Sequence, residues 1–201
     1  MIAPRRHNVR TVSNTRIVIR LRQVNCRARD RVHLGPVHSL DVSRREAVSS
    51  LLPTSTEVLV GRAFEHGAAY RSEDYKAAAL WLPPGVGPDE DALGAVMQEG
   101  VATELQGEVF AVLEQVGASH PPVAHWYLPA IGVEPILQGK GYGSALLARG
   151  IEVCDGAHVA AYLEATNPAN IPLYKRFGFN VVGEIQAGSS PPITPMLRAA
   201  R

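Results

Sequence analysis

Gln138-Gly139-Lys140-Gly141-Tyr142-Gly143-Ser144 is the stretch on which the reading of the fold turns. Ahead of it, His125 to Val133 (His-Trp-Tyr-Leu-Pro-Ala-Ile-Gly-Val) is an apolar run that reads as a buried strand. Behind it, Leu147, Ile151 and Cys154 recur at helical spacing through Ala145 to Asp155, and Gly156 supplies the stop. The order is strand, glycine loop, helix. Glycines let a backbone turn sharply and approach a ligand closely. The first turn of a helix has N–H groups without internal partners and carries partial positive charge. Together these make a cradle suited to phosphate oxygens.

Three phosphate-binding patterns compete for the loop, and an ordinary tight strand-to-helix turn is a fourth reading. A nucleoside-triphosphate loop ends in Gly-Lys-Ser/Thr, whereas this one ends Gly141-Tyr142-Gly143-Ser144. The dinucleotide fingerprint G-x-G-x-x-G fails because the third glycine, Gly143, comes one position early. The third pattern, Q/R-x-x-G-x-G/A, is met by Gln138, Gly141 and Gly143. With it goes a second segment, Asn167-Pro168-Ala169-Asn170-Ile171-Pro172-Leu173-Tyr174-Lys175-Arg176-Phe177-Gly178-Phe179. The two resemble the coenzyme A loop and the N-x-x-A/N-x-x-L-Y-x-x-x-G-F segment of the GNAT superfamily of N-acetyltransferases. The resemblance covers residues from about 57 to 198. Leu82-Pro83-Pro84-Gly85 and Pro195-Met196-Leu197 look like the branch that includes puromycin-type antibiotic acetyltransferases.

What the resemblance implies is specific. The fold is α/β (α+β), a mixed sheet that splays open at its middle and is flanked by helices. Acetyl-CoA is the co-substrate. Its pyrophosphate lies on backbone N–H groups of Gly139, Lys140, Gly141, Tyr142, Gly143 and Ser144, with Gln138 opening the loop. Its pantetheine arm runs along Ala130 to Val133 like an added strand, bringing Ile131, Gly132 and Val133 into contact. Asn167 matches the family asparagine near the coenzyme arm. Asn170 matches the next polar position, and a helix-cap role is preferred for it. Tyr174 matches the tyrosine that protonates the departing thiolate.

Length and composition bound the alternatives. The 201 residues, 46% hydrophobic, suffice for one domain with an appendage. No apolar run approaches membrane length, and the N-terminal arginines have no apolar segment behind them. Cys26 and Cys154 lie far apart and read as free thiols of a reducing compartment, which places the chain in the cytoplasm. No His/Cys/Asp cluster has metal-ligand spacing. Residues 1–50 hold eleven arginines against three acids, a charge of +8, while the remainder carries −7. Such an arm hints at nucleic acid, but it has no interleaved aromatics and no recognition motif, so a nucleic-acid partner is disfavoured. Self-association is left open.

In order along the chain, residues 1–15 are expected to lack structure. Arg16–Val24 alternates like an edge strand, and Asp41–Leu52 could form a short helix. The first 56 residues form an arginine-rich segment that departs from the family, either a crude version of its first strand and helices or filler from a misplaced start. The acetyltransferase domain is expected over 57–201. There the reading gives a helix over Glu57–His66, a hairpin of Ala68–Arg71 with Ala77–Leu82, and helices within Pro88–Gly117, either two or one broken near Gly100. After the central loop and helix come a strand over Val159–Glu164, a helix from near Asn170, a strand over Phe179–Ile185 and a last strand over Pro195–Arg198.

Acetyl transfer to an amine needs a held thioester, a neutral amine, support for the oxyanion and a proton for the thiolate. A strand N–H near Ile131 to Val133 can serve the oxyanion. Glu164 ends a strand bordering the splay and is the candidate base, with a solvated strand-end acid as the plainer reading. His125 and Tyr127 lie close to the cleft on the central strand. His66 and His120 have no assigned role. The expected activity is transfer of an acetyl group from acetyl-CoA to a primary amine of a small molecule. The alternative is a non-catalytic acyl-CoA-binding domain or a truncated, inactive acetyltransferase.

Overall fold

The computed structural model describes residues 9–12, 58 and 62–201. Its strands are β1 (Val9–Val12), β2 (Ala69–Ser72), β3 (Ala77–Leu82), β4 (His125–Val133), β5 (Ala160–Ala165), β6 (Asn180–Val181) and β7 (Thr194–Arg198). Its helices are α1 (Arg62–Glu65), α2 (Glu90–Gly100), α3 (Thr103–Ser119), α4 (Tyr142–Gly156) and α5 (Ile171–Arg176). The strands form one sheet in the order β1-β2-β3-β4-β5-β7-β6. All pairs are antiparallel except β4 with β5. The connection between those two is the glycine loop and α4, as a parallel pair requires.

The sheet opens where β4 leaves β5. Their pairing covers only His125↔Ala160, Trp126↔Ala161 and Tyr127↔Tyr162. Beyond Tyr127, β4 pairs with β3 alone, through Ala130 to Val133, while β5 pairs with β7 through Glu164 and Ala165. The register of β3 against β4 slips between Leu80↔Ala130 and Leu82↔Tyr127, so β4 holds one extra residue. That bulge contains Pro129, which has no N–H to give a ladder. A bulge bends a strand and sharpens its twist. It falls immediately after the last residue paired to β5.

Two clusters cover the faces of the sheet. On one, α4 packs Leu146, Leu147, Ile151 and Cys154 against Ala79, Trp81, Leu128 and Leu163, joined by Tyr174 and Phe179. Gly150 lies against the Trp81 ring so closely that a Cβ there would stand 2.3 Å from it. On the other face, Leu80, Leu82, Tyr127 and Tyr162 gather with Ala63 of α1.

Several boundaries differ from the sequence-based expectation. The edge strand is Val9–Val12, within the stretch expected to lack structure. The expected strand at Arg16–Val24 and helix at Asp41–Leu52 lie outside the described residues. The helical insertion is two helices, separated after Gly100 and stapled by Gln106 Nε2, which donates to the carbonyls of Gln98 and Val101. The strand expected over Phe179–Ile185 is only Asn180–Val181, and Ile185 makes a lone bridge to Ile193. The central helix begins at Tyr142, three residues before the apolar period shows it, because its first turn is built from small and polar residues.

Candidate active site

The glycine loop performs two turns that only glycine takes without strain. Gly139 has φ of +73° and Gly141, the residue before α4, has φ of +93°. The first helical bond runs from Ala145 N–H to the Gly141 carbonyl at 3.0 Å, so the turn ahead of it holds the N–H groups that a helix cannot satisfy internally. Nothing lies within 4 Å of where a Gly139 Cβ would stand. The Tyr142 hydroxyl donates to Asp74 at 2.7 Å, tying the loop to the β2–β3 turn. Gln138 Nε2 donates to the Val133 carbonyl at 3.4 Å and so faces the end of β4.

The open edge of β4 can be read residue by residue. Glu134 N–H donates to the Lys76 carbonyl at 2.8 Å. In the antiparallel register Ala78↔Gly132, this turns the main-chain groups of Gly132 toward β3 and those of Ile131 and Val133 toward the gap. Gly132, expected among the coenzyme contacts, therefore spends its backbone groups on the ladder. An open strand edge, two αL glycines and a helix start together fit a pyrophosphate with an extended arm.

Tyr174 lies on α5, whose Leu173 side chain stands 3.5 Å from the Cβ position of Gly143. Tyr174 is 5% exposed, and its ring meets Phe179 edge-on at 6.3 Å between centroids. Burial raises the phenol pKa, and a hydrogen bond from the Asn170 side chain offsets part of that rise. The helix-cap role expected at Asn170 falls to Asn167. Asn167 is the cap, accepting from Ala169 N–H at 3.0 Å, and Asn170 makes no side-chain cap bond.

Glu164 projects on the opposite face of the sheet, two residues past the last β4–β5 pair and on the same side as Tyr162. It is no solvated strand-end acid: its side chain is 8% exposed. Burial lifts its carboxyl to about 7, against the opposing pull of the Tyr127 and Tyr162 hydroxyls. Those hydroxyls are near enough to influence the charge, yet neither Glu164 Oε1 nor Tyr162 Oη is in a well-formed hydrogen bond. His120, just past α3, stands between the tyrosines, 4.6 Å from the Tyr127 ring and 4.7 Å from Tyr162. Its Nε2 lies 3.5 Å from Glu164 Oε1.

Comparison with known proteins bears on the family and the fold. The sequence profile of the acetyltransferase (GNAT) family matches residues 63–179. The chain belongs to that family. An uncharacterized N-acetyltransferase of Schizosaccharomyces pombe is 25% identical over 71% of this chain and 63% of its own length. A mycothiol acetyltransferase of Paenarthrobacter aurescens is 34% identical over 57% of this chain and 34% of its own. The chain thus spans between about a third and two thirds of these relatives. Among solved structures, a histone acetyltransferase HPA2-related acetyltransferase of Corynebacterium glutamicum superposes with a TM-score of 0.63 at 21% identity, over 98% of each chain.

Within the GNAT frame, the loop 138–144 and Tyr174 lie on the α4 side of the sheet, and Glu164 lies on the other, across the same gap. The sequence reading passed over His120 and Tyr162. Tyr162 was legible, since residues two apart on a strand share a face and Glu164 was already singled out. His120 lies in a connection, where no period reveals which way a side chain turns. Among the described residues no group of three metal-ligating side chains converges.

Proposed function

We propose that this chain transfers an acetyl group from acetyl-CoA to a primary amine of a small molecule. The observation that carries the reading is the gap between β4 and β5. An anion cradle and an unpaired strand edge lie on one side of it, and a buried carboxylate on the other. Gly139 to Ser144 hold the pyrophosphate, and Ile131 and Val133 offer backbone groups to the arm and to the thioester oxygen. Glu164, with a pKa near neutrality, takes a proton from the acceptor's ammonium group. The neutral amine nitrogen then bonds to the acetyl carbon. A β4 N–H supports the oxyanion, and the carbon–sulfur bond breaks. Tyr174 gives its proton to the leaving thiolate. Its phenol is protonated at neutral pH, and because it is the weaker acid it must act at close range.

The reading extends to the cell compartment. Cys154 is a free, buried thiol whose pKa burial pushes up to about 12, and no described helix is long and apolar enough to cross a membrane. We place the protein in the cytoplasm on this support. The decisive test incubates the protein with acetyl-CoA and a panel of arylethylamines, polyamines, amino sugars and puromycin-type aminonucleosides, reading free thiol. Turnover of one class is the expected result. Tight coenzyme binding with no turnover across the panel would favour the non-catalytic acyl-CoA-binding domain.

A further inference from the structure

The polarity of a short hydrogen-bond chain beside Glu164 can be worked out from one fixed end. His125 Nδ1 lies 2.7 Å from the Val123 carbonyl. A carbonyl only accepts, so His125 carries its proton on Nδ1 and, when neutral, presents a lone pair on Nε2. That lone pair faces His120 Nδ1 at 3.0 Å, so His120 must donate there. His120, in turn, holds its own lone pair on Nε2, which lies 3.5 Å from Glu164 Oε1. The reverse polarity would require His125 to carry two protons and a positive charge. The groups facing Glu164 are Tyr127 from β4, Tyr162 from β5 and His120 from the α3–β4 connection.

We propose that His120 is the proton exit for Glu164 and that His125 is a positioning residue that fixes the His120 tautomer. The proposal rests on the reading of Glu164 as the base. In each turnover the proton leaves the acceptor's nitrogen for Glu164 Oε1, and then passes from Oε1 to His120 Nε2. The resulting imidazolium keeps its Nδ1–H on His125 and releases the Nε2 proton to water. Carboxylate and both tautomers are then restored, with no ring flip. The imidazolium does not accumulate, because burial and His125 both disfavour it, and water reaches a side chain that is 28% exposed. A separation of 3.5 Å is long for a hydrogen bond, and such bonds tighten when the substrate closes the site. Glu164 Oε1 has no other hydrogen bond to break. The position of His120 is set by α3, which is docked on the loop ahead of β7. Gln115 and Gln186 bond reciprocally there, and Ser189 donates to Glu108 at 2.8 Å.

Two measurements test this on the full chain. The first needs no acceptor: nitrogen-15 NMR of the imidazoles at pH 7. Both His120 and His125 are expected as neutral Nδ1–H tautomers, and His125→Phe should release His120 from that form. An Nε2–H tautomer or a charged His120 in the wild type would overturn the proposal. The second uses acetyl-CoA and the fastest amine of the panel. His120→Ala should lower kcat at least tenfold with coenzyme affinity unchanged, and added imidazole should restore it in proportion to its neutral form. Turnover within twofold of wild type, or a loss that imidazole cannot restore, counts against the relay. Glu164→Gln separates the two ideas. If it stays fully active, the base assignment has failed. If it is inactive while His120→Ala is fully active, only the relay has.

Discussion

The two faces of the sheet are built on opposite terms. Under α4, Trp81, Leu146, Leu147 and Leu163 interlock, and even one methyl group at Gly150 has nowhere to go. Of the polar side-chain atoms buried on this face, the Trp81 indole N–H is left without a partner. The other face buries a carboxylate and two phenols beside a half-buried imidazole, and leaves Tyr162 Oη and Glu164 Oε1 without well-formed hydrogen bonds. Buried polar groups left short of partners cost stability, on the order of 1–3 kcal/mol each. A chain that places several together across a gap in its sheet has gathered reactive groups at the expense of packing. The lesson is that the α4 face joins the packed core to the glycine loop and Tyr174, whereas the other face gathers polar groups around Glu164.

Substitutions can break that contrast, and the largest effect is expected at Glu164. Glu164→Gln should lower kcat by a hundredfold or more, as loss of a general base does. It should leave the melting temperature equal or higher. The pH dependence of stability gives the same residue a second signature. Its carboxyl rises from 4.5 to about 7 on folding, so the folded chain binds more protons between those values and stability falls as pH rises through them. A shift of that size corresponds to roughly 3 kcal/mol. Denaturant melts from pH 4 to 8 should show this slope in the wild type and lose it in Glu164→Gln. Activity should move the other way, rising with pH through about 7.

Next in size is Tyr174→Phe. It should cost on the order of a hundredfold in kcat while leaving coenzyme affinity intact, because the thiolate exists only late in the reaction. Equal turnover in the two forms would retire Tyr174 as the acid. Gly150→Ala probes the closed face. Its Cβ would stand 2.3 Å from the indole, so overpacking should destabilise by about 1–3 kcal/mol in urea melts. The surviving folded fraction should keep normal kcat, and a specific loss of turnover would mean that the two faces are not independent. The smallest effect is expected at the loop. Gly143→Asp puts a carboxylate at the helix start, where a Cβ meets only ordinary contacts, and should weaken coenzyme binding by roughly tenfold. Calorimetry would read it. Gly141→Asp is a poorer probe, since φ of +93° adds strain to charge.

Local physics made part of this legible in advance. The apolar run 125–133, the glycine spacing of 138–144 and the hairpin around Ser72–Tyr75 are patterns of neighbouring residues, and each appears as an element within a few positions of its reading. The family and its splayed mixed sheet followed from two motifs in the right order. The strand Val9–Val12 was not read in advance because alternation over a few residues marks many segments, and only pairing with β2 selects it.

What the sequence by itself determined is the set of groups: a loop whose glycines can turn left-handed, a tyrosine on the helix after β5, and a carboxylate at the end of β5. Their spacing along the chain is fixed by covalent geometry, so it survives any error in the rest. Tertiary structure alone decided their state. Glu164 is an ordinary acid until β4 and β5 part beside it and Tyr127, Tyr162 and His120 close over it. His120 is an unremarked connection residue until α3 docks and turns its ring toward that acid. Asn167 caps the turn after β5, and Asn170 makes no side-chain cap bond. Burial and hydrogen-bond polarity are properties of what surrounds a group. Those surroundings come from segments far away in sequence, which is why no local pattern could supply them.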